Sequence, residues 1–277
     1  MPMFDAYEVT VQWPYAYVAD GPGGLVIVDI RAPISPRVVS GLALSKDDGN
    51  EPKSIDVATL FQYSRPLVDA DGEPLPWRTE ARNLCAVVDE FDGLFLIDVT
   101  EPTHPQVVYP KAPPPGVSMS RGGGNNRGRF QFRGIEMLSH VDIGTPQGGE
   151  RTSEHDYVYM LEERLQGNNQ RLSYIRILDV SDPENVQQAG RVEAGAATEM
   201  IVPAAFFNAP FLQKVMFTPG QDGVFATDVS VSAEPNQLGA FVGIRSAYVV
   251  AVEEFPLDKM LDEAGRPLKD VSHPGSR

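Results

Sequence analysis

One cysteine in 277 residues, Cys85, excludes an internal disulfide. It also excludes covalent attachment of a c-type haem, which needs two cysteines followed by a histidine. The thiol lies in the apolar run Leu84 to Asp89 and reads as a small buried side chain, because a reactive thiol wants an electropositive, partly exposed setting. Histidine is nearly as scarce. His104, His140, His155 and His273 are widely spaced, with no two at metal-ligand separation on one element, so a zinc centre is not expected. No serine sits in a glycine-flanked nucleophile elbow, which leaves hydrolysis by a catalytic triad without support. No stretch is long and apolar enough to cross a membrane as a helix, and the start Met1-Pro2-Met3-Phe4-Asp5 carries no secretion leader. Positive charge is short as well. Twenty-three Lys and Arg against 38 Asp and Glu leave a net charge of −15, which opposes bulk attraction to nucleic acid or anionic lipid.

What the chain has in quantity is proline and glycine, 24 and 25 residues, the composition of many short strands joined by tight turns. A pattern recurs four times: a glycine or serine, a largely apolar run, then aspartate. The copies are Gly24-Leu25-Val26-Ile27-Val28-Asp29, Gly93-Leu94-Phe95-Leu96-Ile97-Asp98, Ser173-Tyr174-Ile175-Arg176-Ile177-Leu178-Asp179 and Gly223-Val224-Phe225-Ala226-Thr227-Asp228. A repeated unit that cannot bury its own faces must stack on its copies. Upstream of each copy the sequence predicts a partner strand and a turn, as in Tyr15 to Asp20 followed by Gly21-Pro22-Gly23. Downstream, a turn in which the aspartate bonds nearby amides leads to an outer strand. One further strand precedes each hairpin, at Tyr7 to Val11, Ile55 to Phe61, Ile135 to Val141 and Met200 to Phe206. The expectation is therefore all-β: a β-propeller of about four blades, each a four-stranded meander. The core runs are apolar on both faces, as strands between two neighbouring blades should be.

The segment Tyr15 to Pro36, YAYVADGPGGLVIVDI followed by a proline-bearing turn, resembles the LVIVD-repeat β-propellers of bacteria and archaea. That resemblance implies the propeller fold over residues 1–252, with repeats at about 5–44, 54–112, 130–194 and 196–244. It also implies an extracytoplasmic, surface-associated interaction module, with a multihaem cytochrome as the implied class of protein partner. Because no leader is visible, an extracytoplasmic location would make the sequence a mature form or a piece of a longer chain. A partial fifth repeat is expected from Ala247 to Val252, and Pro256 to Ala264 has the composition of a short helix within a C-terminal extension, 253–277.

The repeat spacing shows where the chain has grown. Asp29 to Asp98 is 69 residues, Asp98 to Asp179 is 81 and Asp179 to Asp228 is 49, against roughly 40–45 for an undecorated propeller repeat. Two insertions account for the excess, Ser64 to Arg82 and Lys111 to Arg133, both read as long loops. The second concentrates Arg121, Arg127, Arg129 and Arg133 with no carboxylate between them, a set able to grip a carboxylate, a phosphate or a haem propionate on a protein partner. A solvated loop is the plain alternative. A phosphate-binding loop would need a terminal lysine and a following helix, and single-stranded nucleic acid would need more than Phe130 and Phe132.

The first strands share a carboxylate followed by an apolar residue: Glu8-Val9, Asp56-Val57, Glu136-Met137 and Glu199-Met200. Four carboxylates near a propeller axis repel unless they bind a hard cation such as calcium, accept backbone amide hydrogens, or are partly protonated. Two functions follow. One is a non-enzymatic interaction scaffold presenting its insertions to a protein partner, with no covalent cofactor. The other is a cation-dependent hydrolase or lactonase, in which Glu8, Asp56, Glu136 and Glu199 hold the metal.

Overall fold

The computed structural model describes residues 4–44, 54–68, 74–90, 92–110, 130–141, 154–165, 171–195, 201–208, 211–220, 223–230 and 234–241. They form four antiparallel sheets, each made of four consecutive strands. Unit 1 is β1 (Glu8–Gln12), β2 (Tyr15–Ala19), β3 (Leu25–Asp29) and β4 (Arg37–Leu42); unit 2 is β5 (Ser54–Val68), β6 (Pro74–Asp89), β7 (Gly93–Asp98) and β8 (Gln106–Tyr109). Unit 3 comprises β9 (Phe130–Val141), β10 (Glu154–Leu165), β11 (Arg171–Asp179) and β12 (Gln187–Glu193), and unit 4 comprises β13 (Ile201–Asn208), β14 (Phe211–Gly220), β15 (Gly223–Asp228) and β16 (Asn236–Phe241). There is no helix among the described residues. The strand expected at 247–252 and the helix expected at 256–264 lie outside them.

Each repeated residue has a job that its position explains. The terminal aspartates accept a hydrogen bond from the amide two residues on: Arg31 N to Asp29 Oδ1 at 3.0 Å, Thr100 N to Asp98 Oδ1, Ser181 N to Asp179 Oδ1 and Ser230 N to Asp228 Oδ1 at 2.9 Å. This side-chain turn satisfies an amide that leaves the ladder, so the third strand ends at the same place in every unit. Asp29 is also gripped by the Arg31 guanidinium, and that hydrogen bond holds its carboxyl down at about 2. A bulge follows the same register. The pairing of third and fourth strands slips between Ile27 and Val28, Leu96 and Ile97, Ile177 and Leu178, and Ala226 and Thr227. The residues left over, Val39, Val108 and Ala189 in units 1 to 3, lean on the inter-sheet cores.

Glycine leads the third strand where the preceding turn is tight. Gly24, Gly93 and Gly223 have φ of 76°, 81° and 133°, a region side chains avoid. Unit 3 has Tyr174 at the matching register, opposite Glu162 as Gly93 is opposite Asp89, because its hairpin runs on past that point to the pair Leu165–Arg171.

Alternation along β7 fixes how the sheets stack. Leu94 and Leu96 join Val158, Met160 and Leu178 of unit 3, while Phe95 and Ile97 join Tyr17, Leu25 and Ile27 of unit 1. Cys85 lies in the second of these clusters, and burial pushes its thiol well above the usual range, as the apolar reading expects. A third cluster joins Tyr159, Ile175 and Ile177 of unit 3 to Met216 and Val229 of unit 4. The arrangement is propeller-like: consecutive meanders packed face to face through the apolar sides of their core strands.

The insertion at 64–82 differs from the loop expected of it. Pairing continues through Tyr63–Arg82, Ser64–Ala81, Arg65–Glu80, Pro66–Thr79 and Val68–Pro74, so β5 and β6 extend as a two-stranded ribbon. Eight residues beyond Leu60 reach roughly 25 Å along such a strand. Proline and charge obscured it in the sequence, because both are tolerated in a ribbon that is edge strand on both sides.

Candidate functional site

Each unit has two edges. At one, which we term the near edge, the first strand begins and the second turns into the third; at the other lie the aspartate turns. Glu8 and Asp56 sit at the near edge in matching register, opposite Ala19 and Val88. Glu136 stands two residues further in, opposite Tyr159, the counterpart of Tyr17, while Gly134 occupies the matching register. The four-in-line alignment read from sequence thus holds for units 1 and 2 and is displaced in unit 3, where Gly134 follows the bulge at Arg133 as Asp56 follows the one at Ile55. Glu199 lies outside the described residues.

The carboxylates satisfy themselves differently. Glu8 Oε1 accepts from Val9 N at 3.1 Å. Asp56 Oδ1 accepts from Val57 N at 2.7 Å, and its Oδ2 accepts from Ile135 N at 2.8 Å, across the boundary from unit 2 to unit 3. That bond ties two sheets together at their first strands, the backbone-amide alternative weighed for these residues. Glu136 follows Ile135 and is partly buried; burial first, then the charges of Asp56 and Glu8, push its carboxyl up to about 8. The structure therefore brings three of the four carboxylates into one electrostatic neighbourhood. Among the described residues, no group of three His, Cys, Asp or Glu side chains is placed to hold a metal ion.

The repeat chemistry can now be placed. β3 spells Leu25-Val26-Ile27-Val28-Asp29, ending in the first of the aspartate turns, and residues 5–41 match the family model of the LVIVD repeat. Unit 1 is an LVIVD repeat. No curated protein matches the chain. The LVIVD match ends one residue before β4 does, and units 2 to 4 reproduce its strand order, aspartate turn and bulge in the structure.

Of the expected partner-binding residues, Arg121, Arg127 and Arg129 lie outside the described residues. Arg133 lies in β9, at the bulge that separates the Gly134–Leu161 pair from the Phe132–Glu162 pair. The chain leaves unit 2 at Tyr109–Pro110 and re-enters at Phe130, both on the near edge. The ribbon 64–82 projects from the opposite edge. The two insertions read together from sequence thus leave the sheets at opposite edges.

Sequence reasoning missed a second cationic group. Glu162 stands at the near edge of unit 3, at the position that Asp20 and Asp89 hold in the LVIVD repeat and in unit 2. In unit 1, Asp20 accepts from the amides of Phe4 and Asp5 at 2.9 and 3.0 Å. Glu162, fully buried, instead accepts from Arg164 Nε, Arg176 Nη2 and Arg191 Nη2, the last at 3.2 Å. Arg191 lies over the Tyr174 ring at 3.8 Å. The three arginines come from three strands, 12 and 15 residues apart, so the cluster has no local signature. A signal existed in the third core run, where Arg176 interrupts an apolar series.

No helix among the described residues is long and apolar enough to cross a membrane.

Proposed function

We propose that this chain is a β-propeller interaction scaffold, non-enzymatic and extracytoplasmic, that docks a protein partner through its near edge at units 2 and 3. The observation that carries this reading is what the repeated acidic residues do. The four terminal aspartates close turns, and Asp56 joins two sheets, so the repeated acidity within the units builds the frame. Binding then falls to the decorations, and segment 111–129, with Arg121, Arg127 and Arg129, is anchored at both ends on the near edge. A guanidinium-rich segment on an acidic body selects partners that carry exposed carboxylate or phosphate, haem propionates included. A multihaem cytochrome is the partner class that the repeat resemblance implies.

Replacing residues 112–128 by a short Gly-Ser linker tests this. Melting is expected to stay within a few degrees, because no described core residue belongs to the segment, while cross-linked capture of the partner from the native organism's extract is lost. The triple reversal Arg121→Glu, Arg127→Glu, Arg129→Glu should behave alike. Undiminished capture by both variants would place the docking surface elsewhere.

A further inference from the structure

We propose that Arg176 and Arg191, both held on Glu162 at the near edge of unit 3 and the latter also on Tyr174, form a binding site for a single oxyanion group, carboxylate or phosphate. Three observations converge. Arg176 and Arg191 are directly opposite each other in the β11–β12 ladder, an arrangement in which like charges repel. Both are bonded to the one buried carboxylate of Glu162, so even without Arg164 two positive charges face a single negative one. The Nε atoms of both are buried without a hydrogen-bond partner, a deficit that proteins seldom carry without a purpose.

Charge balance favours an added anion. Two guanidiniums held directly opposite each other on neighbouring strands repel at the effective dielectric of a protein surface. Glu162 offsets part of this, and a second anion offsets the remainder. Glu193 is the acidic neighbour on the same face, opposite Tyr174. It is exposed and makes no ion pair with either arginine, so it competes weakly for the outer donors.

The site is also accessible and rigid. Side-chain exposure is 26% for Arg176 and 30% for Arg191, enough to present the free Nη hydrogens to solvent. Glu162 holds both forks and Tyr174 lies under that of Arg191, which is the preorganisation that planar oxyanion recognition needs. Arg164, which also approaches Tyr174 at 5.7 Å, adds long-range attraction from the rim. The chain re-enters the sheet beside it, since Phe130 pairs with Arg164. The site stands on β10 to β12 alone, so it does not depend on segment 111–129 binding anything.

The experiment is a titration of the full chain with inorganic phosphate and, separately, with succinate, at ionic strength matched with sodium chloride, following arginine Nε–H resonances by NMR. Saturable shifts of the Arg176 and Arg191 signals are expected in the millimolar range, with at least a tenfold loss of affinity in Arg191→Met and native backbone signals elsewhere. Arg176→Gln serves as the second variant should Arg191→Met fail to fold. Response to phosphate alone assigns a phosphorylated ligand, and response to succinate assigns a carboxylate; either supports the site. No saturable shift with either anion, or unchanged affinity in the folded variants, overturns it.

Discussion

Gly24→Ala is expected to destabilise the protein by about 3 kcal/mol or more, read as a lower denaturant midpoint with unchanged slope. A Cβ at this position would lie 2.3 Å from Leu42 O and 2.7 Å from Leu44 N, both backbone atoms, and the residue holds φ at 76°. Neither obstacle can be relieved by turning a side chain. The end of β4 must move, and with it Leu44, which is fully buried in the core between units 1 and 2. Gly93→Ala is a milder case, since its Cβ would meet only the Phe132 ring at 3.1 Å, although its φ of 81° still carries strain. A Gly24→Ala protein as stable as the wild type would mean that the tight turn before the LVIVD strand is not required.

Glu136→Gln should make the protein more stable in alkali and leave it unchanged in acid. Burial holds the Glu136 carboxyl at about 8 in the folded state, against an ordinary value near 4.5. Between those values the folded chain keeps a proton that the unfolded chain releases, so the wild type loses stability as pH rises from 4.5 to 8 and loses no more from this group above that. Glutamine imitates the protonated acid. The difference between variant and wild type should therefore be near zero at about pH 4 and reach a few kcal/mol at about pH 9. Subtracting the two curves removes the contributions of every other carboxylate. A flat difference would mean that Glu136 ionises freely and that Asp56 and Glu8 do not crowd it. A calcium-induced rise in wild-type melting that disappears in Glu136→Gln would instead favour a cation among these carboxylates.

Legibility in the sequence followed the range of the interactions. Strand identities and the aspartate turns were readable because they are set within a few residues: alternation, a glycine that must take positive φ, an aspartate that reaches two residues on. Stacking was readable from β7, since Leu94-Phe95-Leu96-Ile97 leaves no polar face for solvent. The ribbon at 64–82 was not, because its pairing is non-local and its residues, among them Pro66, Arg65 and Glu80, have the composition of a loop. Register was the subtler loss. Pairing puts Glu136 two positions from the register of Glu8 and Asp56, which Gly134 takes instead, and that register is set by the neighbouring strand rather than by a local mark. The Glu162 cluster shows the same limit: Arg164, Arg176 and Arg191 meet only because three strands pair in a particular register.

Methyl-selective NOE spectroscopy is the most direct test that neighbouring units pack face to face across β7. Leu96 methyls should show contacts to Val158 and Met160 of unit 3, and Ile97 methyls contacts to Leu25 and Ile27 of unit 1, with no exchange of partners between the two. Contacts from both residues to the same unit, or from one of them to none, would contradict the stacked arrangement on which the proposed function rests.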